Sequence, residues 1–302
     1  MKPYQIIAQV FFLLIILPET LYAKQPHLLE GEGVKVFFEE PLRTAAEEVV
    51  DLFPSVRKDL ESKLGWRVNF KTTIFLVRDS RAFQNMVNTD LVVAVALPNK
   101  NLILIDYSKM KIHPFTIEST LKHELCHLLL HDRIRSENLP RWLDEGIAQW
   151  VAGGIGEFIM TRKKSVLQGA VLSGRLIEIR TLSRGFPGNP QPLHLAYEES
   201  KSLLEHIIDQ YGVEGVLAIL KGLREGTDWE KAMERALSMP LDTLLEEWRF
   251  QLKKRMTWFI YLSHHLYEIL FFMAALMMIY GFIKAYRKKR AYIADAKTHE
   301  PE

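Results

Sequence analysis

The chain has 302 residues, 48% of them apolar and 25% charged, which excludes a disordered or collagen-like polymer and leaves room for a packed core. Its 39 Lys and Arg against 37 Asp and Glu give a formal charge of +2, so nothing global draws it to nucleic acid. The single cysteine cannot close an internal disulfide, and the compartment has to be read from the two ends.

Met1-Lys2-Pro3 precedes a nearly unbroken apolar stretch at 6–17, and Ala23 offers a small residue before Lys24. A basic start, an apolar centre too short to span a bilayer and a small closing residue are the layout of a secretory signal peptide, expected over residues 1–23. An uncleaved anchor is the alternative, because Leu21 is larger than the residue usual at that place.

Residues 24–113 are expected to form a small mixed α/β subdomain. Val34–Phe38 and Thr72–Val77 are short β-rich runs, with a helical stretch at 41–64 between them. Residues 91–96 and Leu102–Asp106 flank Pro98-Asn99-Lys100-Asn101, which predicts a hairpin. From 114 to 257 the pattern is helical, with breaks at Gly153-Gly154, Gly174, residues 185–190 and Gly212. The expected class is α+β, sheet first and helices second.

The chemistry lies in His123-Glu124-Leu125-Cys126-His127. Four residues turn a helix by about 400° and raise it by about 6 Å, so the two imidazoles stack on one face and can meet at one metal ion. Glu124, turned by about 100°, can reach a water held by that metal. Downstream, Pro140-Arg141-Trp142-Leu143-Asp144-Glu145-Gly146-Ile147-Ala148 opens a second helix. Catalytic zinc takes three protein ligands and keeps one open position, and Glu145 is the natural third donor.

The neighbours of these residues read more plainly. His131 would lie about 6 Å further along the axis, which suits a surface or supporting residue better than a third histidine ligand. Asp144 either orients a zinc-bound histidine through its ring N–H or is an exposed helix-start carboxylate. Cys126 is expected to point away from the metal as a small apolar filler. Trp142, Trp150 and Trp248 read as core aromatics, and Arg162-Lys163-Lys164 as a solvated face.

Together the His123-Glu124-x-x-His127 motif and Trp142-Leu143-Asp144-Glu145-Gly146-Ile147-Ala148 resemble the gluzincin metallopeptidases, the clan of thermolysin and the zinc aminopeptidases, and most of all its small peptidase MA-like family. The resemblance implies zinc on His123, His127 and Glu145, with Glu124 as general base. Asp144 stands where the aminopeptidases usually have Asn. Residues 195–200 are similar to the segment carrying a transition-state tyrosine, which implies that role for Tyr197, or for Tyr211 in its place. The family fold implies Leu102–Asp106 as a sheet edge above the cleft, where a peptide or protein substrate would add as an extended strand. Two imidazoles and a carboxylate would also hold cobalt or manganese in vitro.

The C-terminal end carries a second apolar block at 266–283, about 27 Å of helix, and a transmembrane helix is expected over 258–284. His264-His265 diverge by about 100° on a helix and suit the interface rather than a metal pair. The basic run from Lys284 to Arg290 makes residues 285–302 a cytoplasmic tail, a contrast weakened by Lys253, Lys254 and Arg255 on the other flank. The reading is thus a single-pass cell-membrane protein whose exported part, residues 24–257, is a zinc peptidase. Endopeptidase action is favoured, because no acidic anchor for a free amine stands out. The alternative is a catalytically silent binding or assembly module of the cell envelope that keeps the fold. The intact Glu124 favours the enzyme, since a purely structural zinc has no use for a base.

Overall fold

The computed structural model describes residues 26–110, 112, 115–153, 166–264 and 266–298. The expected signal segment, Gly154, Arg162-Lys163-Lys164 and His265 lie outside them.

Alternating side chains build the sheet. In β2 (Val34–Phe38) residues Val34, Val36 and Phe38 point into the core, and in β3 (Thr72–Val77) Thr72, Ile74 and Leu76 do the same. A strand not expected from the sequence, β1 (His27–Gly31), pairs antiparallel with β2. Between β2 and β3 runs α1 (Arg43–Leu64), whose buried Ala45, Ala46, Val49, Phe53, Val56, Leu60 and Leu64 form one stripe, and Gly65 ends it with φ 68°. A short α2 (Ser80–Val87), also unexpected, is capped by Asp79. The hairpin is present as β4 (Ala94–Leu97) and β5 (Leu102–Asp106).

The sheet order is β1-β2-β3-β5-β4, with β2, β3 and β5 parallel and the two outer strands antiparallel. This corrects one expectation. β5 is paired on both sides, with β3 and β4, so among the described residues the sheet ends at β4 on that side.

The remaining described elements are helical. Thr116 caps α3 (Ile117–Arg133), its Oγ1 accepting from the Ser119 N–H at 3.1 Å, and α3 packs against α1, β4 and β5. After Pro140 comes α4 (Arg141–Val151), then α5 (Val166–Ser173), α6 (Ile179–Arg184), α7 (Pro190–Arg224), α8 (Trp229–Leu237) and α9 (Leu241–His264). Gly212 bends α7, with φ 70° and ψ 179°. Helices α4 and α7 come close at Gly146, where a Cβ would stand 2.9 Å from the Ser200 carbonyl oxygen.

The chain divides into two compact units between Trp248 and Arg249. The second unit contains α10 (Leu266–Thr298), of which Leu266–Arg287 is long and apolar enough to cross a membrane.

Candidate metal centre

Two neighbouring helices supply the site. Almost every residue from Ile117 to Leu130 of α3 is buried, as is Trp142 to Gln149 of α4, so His123, Glu124, His127, Asp144 and Glu145 are held among packed apolar side chains. The i, i+4 spacing puts the two histidines on one face of α3, with Nε2 atoms 3.2 Å apart. Glu145 comes in from α4, its Oε2 3.5 Å from Nε2 of His123 and 3.7 Å from Nε2 of His127.

Asp144 is buried, which excludes the exposed helix-start carboxylate. Its Oδ1 lies 2.7 Å from Nδ1 of His127, while Oδ2 takes Nε2 of His131 at 3.2 Å and a guanidinium nitrogen of Arg141 at 3.2 Å. With the Nδ1–H of His127 engaged by Asp144, its Nε2 lone pair is aimed at His123 and Glu145. The Nδ1 of His123 is buried without a hydrogen-bond partner. Arg141 also pairs with Glu145 Oε1, and its guanidinium lies 5.9 Å from the centre of the Phe186 ring.

Three lone-pair bearers facing one point repel one another unless a cation lies between them. Burial on its own would lower the His127 pKa, but the carboxylates of Asp144 and Glu145 outweigh it and push it up to about 10. Burial likewise works against ionising Asp144 and Glu145, yet His127 holds the first well below the usual range, and Arg141, with the histidines, lowers the second. Burial pushes the Cys126 thiol well up, in keeping with an inert filler.

The donor set fits zinc. Ligands about 2.0–2.1 Å from a tetrahedral zinc stand about 3.3–3.4 Å apart, and the separations of 3.2, 3.5 and 3.7 Å bracket that spacing. All three donor atoms lie within 4.8 Å of one another. The buried carboxylates of Glu124, Asp144 and Glu145 against the one guanidinium of Arg141 leave a formal −2, the charge a divalent ion balances.

The centre opens on a cleft of about 630 Å³. Glu124, His127, His131 and Arg141 line it, as do Val95 and Ala96 of β4. Tyr197 of α7 also lines it, fixed by Gln149, whose Nε2 donates to the Tyr197 carbonyl at 3.2 Å, and by Phe186, packed edge-on at 5.1 Å. Tyr211 is elsewhere, its hydroxyl on the Met239 sulfur at 3.4 Å. Glu124 is the sole carboxylate among the described residues lining the cleft.

A family model described as Peptidase MA superfamily matches residues 55–254, about two thirds of the sequence and all of the residues just described. The chain belongs to the Peptidase MA superfamily. Among solved structures, the aminopeptidase A of Legionella pneumophila in complex with aspartic acid is similar over 74% of this chain, at 14% identity and a TM-score of 0.45. The match covers 27% of that chain, so this one spans little more than a quarter of its length. No curated protein matches. For a Peptidase MA member the informative residues that sequence reasoning passed over are Arg141 and Phe186. The first has an i+3, i+4 signal toward Asp144 and Glu145, and the second has none, because it acts only through folding of the 185–190 segment.

Proposed function

We propose that this chain is a membrane-anchored zinc peptidase of gluzincin type. The observation that carries it is the buried trio of His123, His127 and Glu145 at tetrahedral separations, with Glu124 beside it on the cleft wall. These three residues would hold zinc, which when bound acts as a Lewis acid and lowers the pKa of water from about 15.7 toward about 7. Asp144 keeps His127 in the Nδ1–H tautomer. Glu124 accepts a proton from the attacking water and delivers it to the leaving amine. Tyr197, which also lines the cleft, donates its hydroxyl to the oxygen that gains charge.

The substrate is read as a peptide or protein strand laid along β4, which ends the sheet among the described residues and lines the cleft with Val95 and Ala96. The absence of a second carboxylate among the described lining residues supports internal bonds over a free amino terminus. Residues 24–257 are read as the exported part and 285–302 as the cytoplasmic tail, with 258–284 between them as the single span, in which most of the apolar run Leu266–Arg287 lies, and residues 1–23 as the signal. The test is metal analysis of the purified protein together with cleavage of a peptide library, set against Glu124→Gln. The substituted protein retains zinc and loses turnover; hydrolysis by it at the parent rate removes Glu124 as base, and an unmetallated parent that cleaves nothing removes the reading altogether.

A further inference from the structure

Arg141 opens α4 and is the one arginine or lysine among the described residues lining the cleft. One guanidinium edge meets Asp144 Oδ2 at 3.2 Å and another nitrogen pairs with Glu145 Oε1, while Glu145 Oε2 faces the two imidazoles. Asp144 in turn holds Nδ1 of His127. A single planar fork thus touches one donor of the centre directly and a second through Asp144. The guanidinium lies over the Phe186 ring, and Phe186 packs edge-on against Tyr197, so the same contact links the centre to Tyr197.

From this geometry, and resting on the zinc reading above, we infer that Arg141 is the positioning residue of the metal centre. It holds Glu145 with one oxygen turned outward and the other turned to the ion, and it sets the Asp144 carboxylate that orients His127. Two physical consequences compete. A positive charge this close repels a divalent ion, so simple electrostatics has the metal bind more tightly once it is removed. A positioning role gives the opposite sign, because supporting contacts of this kind are worth about 10–100-fold in metal affinity. Lysine keeps the charge but presents one ammonium instead of a fork that spans two carboxylates.

The experiment compares the full-length protein with Arg141→Lys and Arg141→Met. Zinc affinity is measured by competition with a chromophoric chelator, the coordination sphere by visible absorption of the cobalt-loaded proteins, and integrity by circular dichroism of the metal-free forms. The expected result is zinc affinity about 10–100-fold weaker in both variants, with an altered cobalt spectrum and an unchanged fold. If Arg141→Met binds zinc as tightly as the parent or more tightly, or if Arg141→Lys reproduces the parent's affinity and spectrum, the positioning role is overturned while the zinc reading stands. A parent protein that binds neither metal overturns both.

Discussion

Removing the Asp144 carboxylate is the sharpest perturbation of the centre. Three donors converge on it, from His127 at 2.7 Å and from His131 and Arg141 at 3.2 Å, and the residue is 1% exposed. Asp144→Ala leaves the buried Nδ1–H of His127 without an acceptor and frees the ring to turn its Nε2 from the other two donors. A hydrogen bond to a charged group is worth about 1.5–3 kcal/mol, and loss of a carboxylate behind a metal-ligating histidine costs about 10–100-fold in affinity, or about 1.4–2.8 kcal/mol. Asp144→Asn loses less, because its amide oxygen still accepts from His127, but its N–H then faces the Arg141 guanidinium, donor against donor. Chelator competition on the two variants reads the effect directly, with circular dichroism to establish that both are folded. Zinc binding by the alanine variant within about threefold of the parent, under 1 kcal/mol, refutes the orienting role.

Four further outcomes are expected. Gly146→Ala drives a methyl against the Ser200 carbonyl at the α4–α7 crossing, costing about 1–3 kcal/mol, and an unchanged melting temperature contradicts that close approach. Phe53→Ala empties a fully buried position between α1 and the sheet and costs about 3–5 kcal/mol in denaturant titration. Tyr197→Phe lowers kcat by about 10²–10³-fold with zinc content untouched; an equal loss of zinc would mean the ring only supports the centre. Chelation lowers the melting temperature, since saturation at about 1,000 times Kd stabilises by about 4 kcal/mol, and differential scanning calorimetry with and without zinc checks it.

Much of the centre was legible because its spacing is local. His123, Glu124 and His127 lie within one helical turn and a fraction, so their relative placement follows from helix geometry alone. Glu145 was legible through the motif around it, although only folding brings α4 beside α3. Asp144 stayed open, since a carboxylate in a first helical turn looks the same whether that turn faces water or a histidine. The sheet order shows the same limit. The hairpin was readable from its turn, but which of its strands is the edge depends on the long-range pairing of Ile74 with Ile103, which no local pattern reports. β1 lacked a signal because His27-Leu28-Leu29-Glu30-Gly31 is mostly exposed and so has no buried alternation to display.

The donors of the centre come from one contiguous stretch, two successive helices, which also lends His131 and Arg141 to the cleft, whereas other parts of the cleft come from β4 earlier in the chain and α7 later. Holding an ion, as proposed, and shaping much of the surface beside it are therefore written in separate parts of the gene. Drift or deliberate redesign of the strand and the long helix can retune which polypeptides are accepted while the ion-holding cassette is copied unchanged.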